Sequence, residues 1–262
     1  MIKDKKQELS VVLATFNEEK NLPECLDSIC DLADEIIIVD GSSADKTVEI
    51  AKKYGARVVI VENLPNFHIN KQKAIDLATK DWILQLDADE RVTPELVEEI
   101  KSEIRNLKPE TNGYWVARKN WFLGRFLLKG GQYPDYTLRL YRKGMGHLPQ
   151  VHVHEQAEVV GRVGYLQHAL LHYPYKNFAA YLEKWNRYND LLATQIKESL
   201  EKRNLLVRLA YAIGYLIIKP VHWFLITYIR HKGFMDAWPG FVFSFFSALR
   251  FPVSYFEYLK IL

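Results

Sequence analysis

The 262-residue sequence predicts an α/β fold, a mostly parallel sheet with helices on both faces, followed by a C-terminal helical region. Three observations predict it. Short β-branched runs alternate with helical patterns over the first 110 residues. Polar and acidic residues gather at the carboxyl ends of those runs, where parallel sheets bind their ligands. After Pro174 the chain turns helical, aromatic and basic.

Each element follows from its local pattern. Ser10 to Thr15 reads as a fully buried strand, and Leu22, Leu26 and Ile29 fall at helical spacing after it. Glu35 to Val39 is a second buried strand. Lys46 to Tyr54 is helical, with Asp45 as its N-cap and Gly55 as its stop. Arg57 to Val61 is a third strand, Lys71 to Ala78 a helix, and Trp82 to Leu86 a fourth strand. Pro94 takes the favoured first position of an amphipathic helix running to about Asn106. Such alternation implies a parallel sheet covered on both sides. From Gly113 to about Gly164 the strands Tyr114 to Arg118, Thr137 to Tyr141 and Ala157 to Val160 extend the sheet between Gly-rich loops. Phe178, Tyr181, Leu182, Trp185, Tyr188 and Leu192 mark one face of a helix to about Leu200.

Composition separates two regions. Apolar residues at 48% and charged residues at 26% exclude a disordered chain. Cys25 and Cys30 are too few for a disulfide framework or a zinc cluster, and read as buried small side chains in a reducing compartment. The net charge of +3 conceals an asymmetry: residues 1–175 hold 23 Lys+Arg against 26 Asp+Glu, residues 176–262 hold 12 against 6. The expected domains are 1–175, catalytic, and 176–262, helical. Residues 203–262 carry 15 aromatics and seven basic against two acidic residues. Lys219-Pro220, Trp238-Pro239-Gly240 and Arg250-Phe251-Pro252 interrupt the apolar stretches, so a membrane-interfacial region is expected rather than a spanning one. A soluble helical subdomain or an oligomer contact is the plainer alternative. The charged start, Met1 to Ser10, lacks a signal-peptide pattern, so export is not expected; the expected location is the cytoplasmic face of the inner membrane, peripheral or monotopic.

Chemistry gathers at strand ends. Asp87 and Asp89 follow the fourth strand in an Asp-x-Asp pattern, a spacing suited to Mg²⁺ or Mn²⁺ on nucleotide phosphates, or simply to a solvated turn. Asp40, ending the second strand, can accept a hydrogen bond from a nucleobase or ribose. Thr15, Asn17, Glu18 and Glu19 face the same edge after the first strand. The absence of Gly-x-Gly-x-x-Gly and of a Walker A loop disfavours a dinucleotide dehydrogenase and a P-loop ATPase. Arg139 and Arg142 could meet phosphates or form a solvated strand face. His147, His168 and His172 read as ordinary.

Val11 to Glu19, Ile38 to Thr47 and Leu86-Asp87-Ala88-Asp89, in that order and spacing, resemble the family 2 glycosyltransferases of GT-A fold over roughly residues 9–160. The Asp-Gly-Ser-Ser, Asn-Lys-Gln-Lys-Ala and Leu-Asp-Ala-Asp-Glu stretches are most similar to the bacterial branch that includes lipopolysaccharide-core β-1,4-glucosyltransferases. The resemblance implies that Thr15, Asn17 and Glu18 or Glu19 line a nucleotide pocket, that Asp40 holds the base, typically uracil, and that Lys71 lies near the diphosphate. It implies Asp87 at ribose or metal and Asp89 on the metal. The chain has Lys71-Gln72-Lys73 where many members have Arg-Asn. The resemblance further implies inversion at the anomeric carbon, which needs a base for a hydroxyl acceptor. Glu155, in Val151-His152-Val153-His154-Glu155, is the first candidate and Asp135 its rival; His154 is a candidate for metal or diphosphate, and Arg139 for phosphate. The expected activity is a metal-dependent transfer of a sugar from a nucleotide-diphosphate donor, of the uridine type, to a glycolipid or lipid-linked acceptor at a membrane surface. No nucleic acid is expected as a partner, and a homo-oligomer stays open. Transfer to a polyprenyl phosphate, a non-catalytic membrane-assembly protein and a nucleotidyltransferase are the alternatives.

Overall fold

A computed structural model describes residues 7–105, 110–149 and 156–262. Packing divides the chain into two compact units. The first holds the residues up to Arg118 together with Asp135–His172; the second holds Lys119–Pro134 together with Tyr173–Leu262. Composition alone set two continuous regions meeting near 175, whereas packing gives the helical unit an extra piece, 119–134, drawn from the earlier one.

The first unit begins with β1 (Leu9–Thr15), α1 (Leu22–Asp27), β2 (Glu35–Asp40), α2 (Thr47–Lys53), β3 (Arg57–Ile60), α3 (Phe67–Asp76) and β4 (Trp82–Leu86). Next come β5 (Glu90–Arg91), α4 (Pro94–Arg105) and β6 (Thr111–Phe122), which carries the chain into β7 (Arg125–Leu127). It closes with β8 (Asp135–Arg142), β9 (Gly146–His147), β10 (Glu158–Val159) and β11 (Arg162–His172). The sheet order is β3-β2-β1-β4-β8-β6-β11-β5, with β7 on β6. β1 is parallel to β2 and β4, and β2 to β3; β8 then runs antiparallel to β4 and β6.

Strand alternation builds two cores. Val11, Leu13, Ile38, Leu84 and Leu86 pack with Leu22 and Leu26 of α1 and Leu96 and Ile100 of α4. Val12, Ile37, Val39 and Ile83 point the other way, onto Ala74 and Ile75 of α3. Each fully buried Leu, Ile or Val contributes about 1.5–3 kcal/mol of transfer free energy. All five residues of β4 are buried, because packed residues cover the sheet on both faces there.

Several elements differ from the sequence reading. α3 starts at Phe67 rather than Lys71, with the Asn66 side chain accepting from the His68 amide at 3.1 Å. Phe67 and Ile69 are exposed, so no apolar periodicity marks this first turn. The expected strand at Ala157 to Val160 shrinks to β10, paired only with β9 in a separate two-stranded piece. β11 runs well past Gly164; its buried Leu166, Ala169 and Leu170 break the period of two. Cys25 is buried as expected, but Cys30 is exposed in the turns after α1.

In the second unit, the end of β6 and β7 form a hairpin that pairs Asn120 with Leu127 and Phe122 with Arg125. Helix α5 (Phe178–Leu200) is capped by Asn177, whose side chain accepts from the Ala180 amide at 2.9 Å. One continuous helix then covers Leu205–Arg230: α6 (Leu205–Ile213), a π turn, α7 (Lys219–Phe224) and a second π turn. A 3₁₀ turn (Gly233–Asp236) leads into α8 (Ala237–Lys260). The breaks expected at Pro220 and Pro252 are absent, whereas the chain does break just before Pro239, between Arg230 and Ala237. Pro220 lacks an N–H, and the helix accommodates it beside a π stretch instead of ending. Pro239 lies in the first turn of α8, where the amide has no intrahelical partner. Pro252 lies inside α8, held by packing of Tyr255 and Tyr258 against Ala193, Ile196 and Leu200 of α5. Among the described residues, Leu205–Arg230 is therefore long and apolar enough to cross a membrane, with a mean hydropathy of 1.5 and none of that window buried. The sequence reading had judged these stretches too interrupted for that.

Asp236, 2% exposed, accepts from the amides of Leu128 at 3.0 Å and Lys129 at 2.7 Å, and so fastens residues 119–134 to the helical unit. An aromatic pocket of about 540 Å³ in this unit is lined by Leu123, Phe178, Trp238, Phe241, Val242, Phe245 and Phe246.

A Cβ on Gly240 would run into the Gly233 carbonyl oxygen, so the 3₁₀ turn and α8 close only around a glycine. Gly240→Ala is expected to cost about 1–3 kcal/mol in denaturant unfolding; unchanged stability would show that this approach is not tight in solution.

Candidate active site

The turn after β4 is built by its own residues. The Glu90 amide donates to the Asp87 carbonyl at 3.0 Å, and the Asp87 amide donates to Glu90 Oε2 at 2.9 Å. Glu90 is fully buried and needs positive partners. Arg139 of β8, 5% exposed, supplies one: its Nη2 lies 2.7 Å from Glu90 Oε1 and 2.6 Å from Asp87 Oδ2. Its Nη1 donates to Gln85, the one polar residue inside β4. Arg118 of β6 approaches Glu90 Oε1 at 3.5 Å and Asp135 Oδ2 at 2.8 Å.

Asp87 is clamped from both sides. Lys71 of α3 pairs with Oδ1 while Arg139 holds Oδ2. Burial alone would push the carboxyl up, but the Arg139 and Lys71 charges hold it well below the usual carboxylate range. The Lys71 ammonium sits 4.9 Å from the centroid of the exposed Phe67 ring. Asp89 meets a different partner. Antiparallel pairing of β5 with β11 sets His172 opposite Glu90, and brings His172 Nε2 to 3.4 Å from Asp89 Oδ2.

The ends of β1 and β2 interlock. Thr15 Oγ1 donates to Asp40 Oδ2 at 2.8 Å, and Ser43 donates to the same carboxylate through Oγ at 2.6 Å and its amide at 2.8 Å. The Asn17 amide donates to Ser43 Oγ, and Asn17 Oδ1 accepts from the Ala44 amide. Asn17 and Ser42 hold positive φ of 56° and 64°, a conformation asparagine tolerates better than most residues. The Glu18 amide donates to Thr47 Oγ1 and the Glu19 amide to Asp45, while Glu19 accepts from the Lys46 amide. Asp45 accepts from the Thr47 amide, but α2 starts at Thr47, so Lys46 and not Asp45 holds the N-cap position.

The structure thus brings Thr15, Asn17, Glu18, Glu19 and Asp40 together on one edge, and Lys71, Asp87 and Arg139 together at the end of β4. Asp135 joins the same ionic chain through Arg118. His154 and Glu155, with His152, lie outside the described residues. Arg142 serves the scaffold: it covers the Trp82 ring at 4.8 Å and its Nε donates to the Thr111 carbonyl. Gln85, Glu90, Arg118 and His172 escaped the sequence reading as site residues. Gln85 had a signal, a polar residue inside an apolar run, and Glu90 closes a turn at the spacing of three. His172 had none, because strand pairing alone brings it to Asp89.

Among the described residues no group of three or more His, Cys, Asp or Glu is placed to hold a metal ion. Asp89 and His172 together offer one carboxylate and one imidazole, a donor pair compatible with Mn²⁺ or Mg²⁺ when phosphate oxygens and water complete the shell.

Comparison with known proteins adds the family. The family described as Glycosyl transferase family 2 matches residues 10–157. Lipopolysaccharide core biosynthesis glycosyltransferase LpsC of Rhizobium meliloti is 30% identical over 255 residues, 92% of this chain and 91% of that protein. The uncharacterized glycosyltransferase RT0209 of Rickettsia typhi is 25% identical, over 90% of this chain and 81% of its own. A solved structure of glucosyl-3-phosphoglycerate synthase from Mycobacterium tuberculosis with Mn²⁺ and UDP-glucose is similar at 25% identity and a TM-score of 0.36, covering 45% of this chain and 44% of that one. The parallel β3-β2-β1-β4 core with its antiparallel extension is the α/β arrangement the resemblance implied, and the chain belongs to glycosyl transferase family 2 and is a glycosyltransferase.

Proposed function

We propose that the chain transfers a sugar, with inversion, from a nucleotide-diphosphate donor of the uridine type to a glycolipid or lipid-linked acceptor at the cytoplasmic membrane surface. The observation that carries the reading is the Asp87–Glu90 turn, in which a clamped, ionised Asp87 stands two residues from an Asp89 paired with His172. Family membership supports the nucleotide-sugar donor. The 30% likeness to a lipopolysaccharide-core enzyme supports the lipid-borne acceptor. The exposed apolar helix and the basic excess of residues 176–262 support the membrane.

Each residue has a task in this reading. Asp40, oriented by Thr15 and Ser43, accepts a hydrogen bond from the base, and the loop carrying Asn17, Glu18 and Glu19 shapes the pocket around it. Lys71 and Arg139 keep Asp87 ionised and turned toward the ribose. Asp89 and His172 would hold a divalent cation, with Asp87 beside them and His154 as a further ligand. Such a cation supplies neutralisation of the leaving diphosphate. The acceptor oxygen attacks the anomeric carbon, the bond from that carbon to the diphosphate oxygen breaks, and a carboxylate takes the acceptor proton. Glu155 is the base in this reading. Asp135 is the second choice, since its Oδ2 is already engaged by Arg118.

Calorimetric titration with UDP should show Mn²⁺-dependent binding that Asp89→Ala weakens by at least about tenfold; equal affinity in the variant, or binding indifferent to chelator, rejects the cation assignment. Glu155→Gln should lower kcat by about 10²–10⁴ and leave UDP affinity intact; near-normal turnover would transfer the role to Asp135. The full chain should float with anionic vesicles, and salt that shortens the Debye length from about 10 Å to about 3 Å should weaken the association without abolishing it. Recovery in the soluble fraction at low salt would reject the membrane part.

A further inference from the structure

Length and hydropathy alone make Leu205–Arg230 a candidate to cross a bilayer. Its neighbours in the second unit argue for a different placement. From Tyr215 onward the helix packs along α8: Tyr215 and Trp223 contact Phe251 at 6.0 and 5.9 Å between centroids, while Phe224 and Tyr228 contact Phe241 at 6.1 and 5.7 Å. Along the same α8 lies α5. Trp185 Nε1 donates to the Phe246 carbonyl at 3.0 Å, Ser254 Oγ donates to Asn189 at 3.3 Å, and Lys197 Nζ donates to the Ile261 carbonyl at 2.7 Å. The three helices therefore lie side by side as one bundle. α5 carries exposed Glu183, Arg187, Asp190, Lys197 and Glu198 along its outer face. A helix crossing the hydrocarbon would draw those charges in beside it, and the bilayer core holds no water to solvate them.

The helix itself is marked in the same sense. Lys219 stands near its middle, with Nζ 3.5 Å from the Tyr215 ring centroid and 5.9 Å from that of Phe251 on α8. A cation at mid-helix belongs at a headgroup boundary, where it can reach phosphate, and not at the centre of a span. On the outer face Leu206, Leu209, Ile213, Ile217, Val221 and Ile229 are all more than half exposed. Trp238 and Phe245, exposed rims of the aromatic pocket, contact the ring of Phe241 that touches this helix. Tryptophan and tyrosine at such a border fit the interfacial zone of a bilayer.

We infer that Leu205–Arg230 lies in the plane of an anionic membrane, its outer apolar face sunk into one leaflet and α5 kept in water on the opposite side of the bundle. The basic excess after residue 176 supplies the charge complementarity for that surface. This placement rests on the membrane reading above and specifies how the helix meets the bilayer.

The test uses the full-length chain expressed in bacteria, with the exposed Cys30 changed to Ser and the buried Cys25 retained. Arg203→Cys and His231→Cys, at exposed positions just outside each end of the helix, are treated with a membrane-impermeant maleimide in intact spheroplasts and again after permeabilisation. The in-plane helix leaves both cysteines unlabelled in intact spheroplasts and labels both after permeabilisation. Labelling of both before permeabilisation also supports an in-plane helix, on the outer face. Labelling of one end before and the other only after permeabilisation means a spanning helix and overturns the inference while leaving the membrane reading intact. Recovery of the protein outside the membrane fraction overturns the membrane reading itself.

Discussion

A single guanidinium organises the centre of the first unit. Arg139 is buried, and a buried cation is tolerable only where its hydrogen bonds and its charge are both met. Glu90, Asp87 and Gln85 meet the charge and the hydrogen bonds of its two terminal nitrogens, while Nε stays without a partner among the described residues. The requirement runs in both directions. Glu90, fully buried, needs Arg139 and Arg118, and with its remaining oxygen it closes the turn that displays Asp87 and Asp89. Because Gln85 sits inside β4 and Arg139 on β8, the same contacts fix those two strands side by side at the point where the parallel core gives way to its antiparallel extension. The ionised state of Asp87 is then a property of the scaffold, present before any substrate arrives.

The edge formed by β1 and β2 is settled by smaller forces that act together. Six side-chain contacts between the two loops are each worth about 0.5–1.5 kcal/mol net. Their joint effect is geometric: Asp40 has both oxygens satisfied by Thr15 and Ser43, so its orientation is determined by the protein. A pocket floor ordered in advance costs a ligand little conformational entropy on binding. The candidate site thus combines a half of paired opposite charges at β4 with an acidic, hydrogen-bonded half at β1 and β2.

Much of this was legible in the sequence, for physical reasons that differ by residue. The buried runs at Val11, Ile37 and Leu84 could be read because a parallel strand is apolar on both faces. Asp40, Asp87 and Asp89 could be read because acids at the ends of such runs cannot be core. Lys71 was placed by resemblance, although its helix starts four residues earlier than apolar spacing showed. His172 was illegible: its meeting with Asp89 depends on the pairing of β5 with β11, which no local pattern encodes. The prolines misled for a related reason. Local preference argues for breaks at Pro220 and Pro252, but packing of the helices against one another outweighs a cost of about 3 kcal/mol per interior proline. His154 and Glu155 fall outside the described residues, so the base is argued from sequence alone.

The excursion of residues 119–134 has a consequence for how the chain is made. Leu128 and Lys129 give their amides to Asp236, which lies 108 and 107 residues further along. On a ribosome adding residues from the N-terminus, those two donors emerge long before their acceptor exists. The helical unit is consequently among the last parts of the chain able to complete its hydrogen bonds, and its contacts are of long sequence separation, the kind that slows folding. A cut at the compositional border near 175 would strand the early segment without its acceptor, so the two units, although compact, are not separable as two lengths of gene.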